Sequence, residues 1–161
     1  MADDEVVLRP PRLGEMSWLQ WRHMQTVAPA YGWDERYEGH IARIVGDFMT
    51  RHDPARERFW AAERGGELLG CVGLTGESEE RARLRLLYVE PEARGLGLGR
   101  RLVDACVAFA RRAGYREVVL WTVDVLEPAR RIYAAAGFRR IGAVVSELSP
   151  AMKDETWLLR L

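Results

Sequence analysis

Cysteine, paired metal ligands, net charge and long apolar runs are all scarce in this chain, and each scarcity removes a class of function. Cys71 and Cys106 are the only cysteines among 161 residues. Each sits in an apolar run, which suits buried thiols in a reducing compartment and excludes a disulfide framework. His23, His40 and His52 are scattered, with no histidine pair four residues apart and no Cys-x-x-Cys, so no metal is expected. The 24 basic side chains are balanced by 24 acidic ones. A general nucleic-acid or anionic-membrane binder carries a bias of charge, so neither partner is expected. No apolar run approaches membrane-spanning length, and Asp3, Asp4 and Glu5 near the start are the reverse of a signal peptide, which makes a cytoplasmic location the expectation. Internal repeats, linkers and low-complexity segments are missing as well, so residues 1–161 are expected to form one domain.

What is present is a segment able to hold a phosphate, LRLLYVEPEARGLGLGRRLVDACVAFARRAG at 84–114. Apolar residues at 84–89 have strand length, and Pro91 ends any ladder because it has no N–H to donate. After Arg94-Gly95-Leu96-Gly97-Leu98-Gly99-Arg100 comes an amphipathic helix, with Leu98, Leu102, Ala105, Cys106, Phe109 and Ala113 on one face. Gly114 is its natural stop. Alternate glycines remove β-carbons that would hold a ligand off the main chain. Their N–H groups can then converge, with those of the first helical turn, on one anion. Arg94, Arg100 and Arg101 supply charge suited to phosphate oxygens. The competing reading is a flexible turn before a packed helix. A dinucleotide fingerprint fails because its third glycine would fall at Arg100, and a P-loop fails because Gly-Lys-Ser/Thr is absent.

The rest of the chain reads as an α/β alternation. Val6, Val7 and Leu8 make a short strand, and 14–27 a helix that Pro29 ends. Asp34 can cap a second helix with Tyr37, Ile41, Ile44, Val45 and Phe48 on one face. Residues 58–63 and 67–75 form a hairpin around Gly65-Gly66. EVVLWTV at 117–123 is a buried strand, parallel to its predecessor because a helix separates them. A short helix follows, with Asp124 and Glu127 placed as a capping box, Pro128 in its first turn and Gly137 past its end. Strands at 138–145 and 155–161 finish the sheet, and an exposed terminal strand could join two copies as a homodimer.

The spacing R-x-x-G-x-G, from Arg94 through Gly97 to Gly99, resembles the pyrophosphate loop of the GNAT superfamily, the acetyl-coenzyme A-dependent N-acetyltransferases. ARRIYAAAGF at 129–138 resembles the second landmark of that family, A-x-x-x-Y-x-x-x-G-F. The stretches YGWDERYE, DPARERFWAAE, LLYVEPEARGLGLGRRLVD, LWTVDVLEPARRIYAAAGF and ETWLL are similar to acetyltransferase domains fused to MarR-type winged-helix regulators. No regulator is read before Val6, so DNA binding is not carried over. The resemblance implies the GNAT fold: a central, mostly antiparallel, twisted sheet with one parallel, splayed strand pair and about four helices.

It also implies a reaction, in which an amine of a small molecule or peptide attacks acetyl-coenzyme A directly in a ternary complex. Leu87, Tyr88 and Val89 match the strand end that binds pantetheine, where a main-chain N–H polarises the thioester carbonyl. The main chain of 94–100 (Arg94, Gly95, Leu96, Gly97, Leu98, Gly99 and Arg100) would hold the pyrophosphate, and Tyr133 matches the general acid that protonates the departing thiolate. Phenol and thiol have comparable reference pKa values, about 10 and about 8.5, so that transfer is not steeply uphill. Tyr133 also lies on the apolar face of its helix, so a packing tyrosine is the alternative. For the base, Glu35, Asp34, His40, Glu77 and Glu147 stand open. Tyr31, Trp33 and Glu35 form the expected acceptor lip, since aromatics beside acids suit a cationic amine. Many relatives have a coenzyme-contacting asparagine near 122–126, which here reads Thr-Val-Asp-Val-Leu. The rival function is therefore a domain of the same fold that senses acyl-coenzyme A without turnover.

Overall fold

The computed structural model describes residues 5–161, so Asp3 and Asp4 lie outside the described residues. Its frame is a seven-stranded sheet in the order β1-β2-β3-β4-β5-β7-β6. The strands are β1 Val7–Arg9, β2 Arg58–Arg64, β3 Glu67–Gly76, β4 Arg81–Val89, β5 Glu117–Val123, β6 Arg139–Val145 and β7 Lys153–Arg160. Every neighbouring pair is antiparallel except β4 and β5. That pair is joined through the helix α4 Leu98–Arg112, the crossover that parallel neighbours require.

The remaining helices are α1 Glu15–Arg22, α2 Ala28–Tyr31, α3 Glu35–Arg51 and α5 Glu127–Ala135. α1 and α2 are continuous through a π-helical turn, His23–Val27, so the described residues form four helical rods. Pro29, the expected end of the first rod, instead sits inside it. Thr26 donates its hydroxyl to the Arg22 carbonyl at 2.7 Å. The wider π turn lets the helix pass a residue that can neither donate nor tolerate a close carbonyl. Gly32, at φ +68°, ends the rod.

Two apolar clusters flank the sheet. One joins α4 and α5 to the face bearing Leu74, Ala82, Leu84, Val118 and Leu120. The other joins α1 and α3 to the face bearing Phe59, Cys71, Tyr88 and Val123. Both cysteines are buried and unpaired. The hairpin between β2 and β3 turns on Gly65 (φ +56°) and Gly66 (φ +84°), the two positive values a tight primed turn needs.

The C-terminal region departs from expectation in two places. The last strand, β7, lies inside the sheet between β5 and β6, so the exposed edge is β6. At this end of the sheet the edge open to another strand is therefore β6 rather than the last strand, and it is blunted by Arg139 and Arg140; β1 is the edge at the other end. The cap of α5 is Leu126, with no side-chain bond; Asp124 instead accepts the Lys153 N–H at 3.0 Å and ties the loop to β7. α5 is further held by Arg130, whose Nη2 lies 3.2 Å from the buried carboxylate of Glu155. The same carboxylate accepts the Trp157 indole N–H at 2.8 Å.

Gly70 in β3 sets how closely β4 can approach. A β-carbon there would stand 2.6 Å from the Tyr88 carbonyl oxygen, a main-chain atom that cannot rotate aside. Gly70→Ala should therefore cost about 1–3 kcal/mol in denaturant unfolding, the usual penalty of overpacking. An unchanged midpoint would show that β4 has slack at Tyr88.

Candidate active site

The site begins where the sheet fails. β4 and β5 pair only at Arg81–Glu117, Ala82–Val118 and Arg83–Val119. β4 continues to Val89 and β5 to Val123, so beyond these pairs a wedge opens between two parallel strands. A bulge in β4 accompanies it. Gly73 of β3 faces Arg85 while Cys71 faces Tyr88, so two steps on β3 are matched by three on β4. Leu86 takes φ +52°, a left-handed value that costs a leucine about 1–2 kcal/mol. The extra residue bends the strand and reverses its facing. Ala82 and Leu84 contribute to the α4 cluster, as do Leu87 and Val89, whereas Leu86 and Tyr88 belong to the α1–α3 cluster.

Below the wedge the chain turns through Pro91–Ala93 into the glycine loop. Gly95 and Gly97 adopt φ +78° and +76°, and a β-carbon on either would meet nothing within 4 Å, so backbone conformation rather than crowding selects glycine there. Gly99 differs. A β-carbon on it would meet Ile132 Cδ1 at 2.7 Å, so this glycine lets α4 close against α5. Gly97 caps α4 without a side-chain bond, and the first return bond runs from the Arg101 N–H to the Gly97 carbonyl at 3.1 Å. The amides of Leu98, Gly99 and Arg100 are thus bare at the positive end of a long helix, which is what an anion requires. Arg94 is braced by its Nε–H donating to the Val89 carbonyl, and Arg100 by Asp104. Arg101 reaches away, to the Val6 carbonyl at 3.0 Å.

A cleft of about 900 Å³ joins loop and wedge. Leu87, Tyr88, Val89, Arg94, Gly95, Gly97, Leu98, Gly99 and Arg100 all line it, while Leu96 is exposed outside it. Tyr88 is fixed by its hydroxyl donating to Glu90 at 3.2 Å, and Glu90 is gripped by Arg22 at 2.6 and 2.7 Å. Tyr133 projects from α5 into the same cleft, 5% exposed, edge-on to Phe138. Burial pushes its phenol well above the ordinary tyrosine range, with Cys106 adding to the effect, so the group enters as a protonated donor.

At the far end the expected acceptor lip is rearranged. Tyr31 lines the cleft, but Trp33 is 7% exposed and lies beneath it, its ring 4.6 Å from that of Tyr37 and its indole N–H donating to the Met152 sulfur at 3.3 Å. The reason is local. Asp34 accepts the Arg36 N–H at 3.0 Å and starts α3 there, which turns Trp33 inward. Glu35 is an exposed first-turn residue of α3 outside the cleft lining. Among the base candidates, His40 and Glu147 line the cleft; Asp34 and Glu77 do not, being engaged by Arg36 and Arg83. Sequence reasoning missed Arg85, Trp121 and Asp154, which line this end, and the bulge at Leu86. The one trace of the bulge in the sequence is the Leu86-Leu87 doublet, which breaks the alternation of β4.

Comparisons with known proteins agree with this geometry. Residues 15–138 match the model of the acetyltransferase (GNAT) family. An uncharacterised N-acetyltransferase of Schizosaccharomyces pombe (strain 972) is 39% identical over 135 residues, covering 81% of this chain and 78% of that protein. A Mus musculus protein, member 5 of N-acetyltransferase family 8, is 37% identical over 68% of this chain, and the chain spans 48% of its length. A Salmonella typhimurium acetyltransferase solved with its cofactor acetyl-CoA superposes with a TM-score of 0.76 at 16% identity, covering 98% of this chain and 94% of that one. The fold and the open strand pair define an acyltransferase scaffold. This chain belongs to the GNAT family of N-acetyltransferases.

His23 lies in the cleft wall with its Nδ1 sharing a hydrogen bond with the Tyr37 hydroxyl at 2.9 Å and its Nε2 without a partner. Burial pushes its pKa down to about 4. The unfolded chain, with a histidine near 6.5, binds the proton more readily, so this contribution to stability is whole above about pH 6.5 and is lost as pH falls toward 4. Urea unfolding should therefore lose about 2–3 kcal/mol between pH 7 and 4.5, and His23→Gln should remove most of that loss. An equal loss in the variant would place the acid sensitivity elsewhere.

Proposed function

We propose that residues 1–161 act as one catalytic domain that transfers an acetyl group from acetyl-coenzyme A to a primary amine by direct attack in a ternary complex. The observation that carries this reading is the coincidence, in one cleft, of the unpaired β4–β5 wedge, the bare amides of α4 and the buried phenol of Tyr133. The amides of 97–100 with Arg94 suit the pyrophosphate, and the free main chain of 87–89 suits the pantetheine arm. Acetyl-coenzyme A supplies an acyl group activated as a thioester. The amine nitrogen forms the new C–N bond, the C–S bond breaks with its electrons leaving on sulfur, and a main-chain N–H at 87–89 stabilises charge on the carbonyl oxygen.

One proton leaves the attacking amine within the site, and the departing thiolate takes one up from solvent on release. His40 takes the proton that the amine loses. Burial, then Arg85 and Arg43, hold its pKa below the ordinary histidine value against the opposing pull of Asp154, so the imidazole is a free base at neutral pH. Tyr133 faces the departing sulfur. Its raised pKa makes full proton transfer to a thiolate uphill, so its contribution is a hydrogen bond that stabilises the leaving group. The sensor alternative needs only the coenzyme half of the cleft, and the clustering of His40, Arg85 and Asp154 at the other end favours catalysis.

We further propose, from the stretches YGWDERYE, DPARERFWAAE and ETWLL, a kinship with the acetyltransferase domains fused to MarR-type regulators. The two buried, unpaired cysteines suit a reducing cytoplasm. Among the described residues no helix is long and apolar enough to cross a membrane.

Thiol release from acetyl-coenzyme A, followed with a library of amines, tests the reaction. Tyr133→Phe should lower kcat by about 10-fold or more with little change in the coenzyme KM. Wild-type turnover in that variant would reduce Tyr133 to a packing residue. Coenzyme binding with no thiol release for any amine would favour the sensor.

A further inference from the structure

The arginines lining the cleft are not alike. Arg36 is engaged by Asp34 and the Glu147 carbonyl, Arg83 by Glu77, Arg100 by Asp104, and Arg94 by the Val89 carbonyl. Arg85 is different. It rises from the bulged part of β4 on the α1–α3 face, half-buried, and its one side-chain hydrogen bond is from Nε–H to the Thr75 hydroxyl at 3.2 Å. No ion pair holds it among the described residues, and the carboxylates whose fields reach it, Glu77 and Asp47, are engaged by Arg83 and Arg51. Its terminal nitrogens therefore keep a planar pair of donors for something that enters the cleft.

Asp154 is the mirror case. It stands on β7 opposite Val123, on the same face, with Oδ1 buried and unpartnered, and no cation pairs with it among the described residues. The fields of both groups converge on His40, whose pKa Arg85 lowers and Asp154 raises. One half-buried cation and one carboxylate thus line the same cleft as the imidazole and act on it, each without an ion-pair partner among the described residues. Leaving both desolvated and unmatched is costly unless a ligand carries the two opposite charges. The surrounding wall is Tyr31, Tyr37, Ile41, Ile44 and Trp121, apolar and aromatic.

Building on the acetyl-transfer reading, we infer that the acceptor is a free α-amino acid with an apolar or aromatic side chain. Its carboxylate lies on the Arg85 guanidinium, and its ammonium lies beside Asp154; one proton passes to solvent to free the nucleophile, and His40 takes the second as the C–N bond forms. An amine without a carboxylate leaves Arg85 unmatched, and a polyamine adds positive charge beside it. A carboxylate at the C-terminus of a peptide is too far from the reacting amine to satisfy both groups in one site.

The test uses protein saturated with coenzyme A, titrated by calorimetry with L-phenylalanine, L-leucine and L-methionine and with the amine that each gives on decarboxylation. At least one amino acid should bind, and its amine should bind ten-fold or more weakly. In turnover, Arg85→Met should raise the KM of that amino acid at least ten-fold, change kcat much less, and abolish the preference over its amine; Arg85→Lys should restore part of it. Retained heat from coenzyme A shows that each variant is folded. Equal binding of acid and amine, no heat from any of the amino acids, or an unchanged preference in Arg85→Met overturns the inference while coenzyme binding stands. Absence of heat from coenzyme A itself would instead overturn the reading on which it rests.

Discussion

The active cleft exists because a parallel strand pair is allowed to stop pairing. Three residue pairs hold β4 to β5, and past Arg83 and Val119 the strands part company. Main-chain groups left without a ladder partner inside a protein are costly. In the reading proposed above, a cosubstrate that lies between the strands satisfies them, and the defect of the sheet serves as its seat. The left-handed turn at Leu86 is part of that cost. It is stabilised from both sides: Gly70 lets β3 press on Tyr88, and the Tyr88–Glu90–Arg22 chain locks the strand end to α1.

The helices divide the labour around this opening. α4 supplies a pole of bare amides, and the conformations at Gly95 and Gly97 aim it, while Gly99 brings α5 close enough for Tyr133 to share the cleft. The π turn, α2 and α3 line the other end of the cleft together with residues of β4, β5 and β7. The π turn places His23 and Thr26 against Tyr88 and Tyr37, so the two ends are coupled by packed aromatic rings. Charge is arranged in the same spirit. Most arginines lining the cleft are engaged by a carboxylate or a carbonyl, and among the described residues Arg85 and Asp154 are left without an ion-pair partner in the same cleft as His40.

The glycine loop and helix start proposed to hold the coenzyme were legible in the sequence because they depend on glycines at fixed spacing and on one helix start, both local properties. R-x-x-G-x-G located the bare amides, and the hairpin at Gly65-Gly66 and the parallel β4–β5 crossover followed from turn chemistry and helix spacing. The acceptor half was not legible, because its members come from β4, β5, β7 and α3 and meet only through the sheet order. An aromatic next to acids, as in 31–35, looks like a surface lip in one dimension. Only the cap made by Asp34 reveals that Trp33 turns into the core. The insertion of β7 between β5 and β6 was hidden for the same reason, and it is what brings Asp154 to the cleft.

The central claim is that main-chain amides at 97–100 hold a pyrophosphate and thereby place a thioester in the wedge. Calorimetry comparing coenzyme A with pantetheine, which shares the arm but has no phosphate, tests this most directly. The account predicts saturable binding of coenzyme A and binding of pantetheine at least 100-fold weaker. Equal affinity for the two, or no heat from coenzyme A, would contradict it.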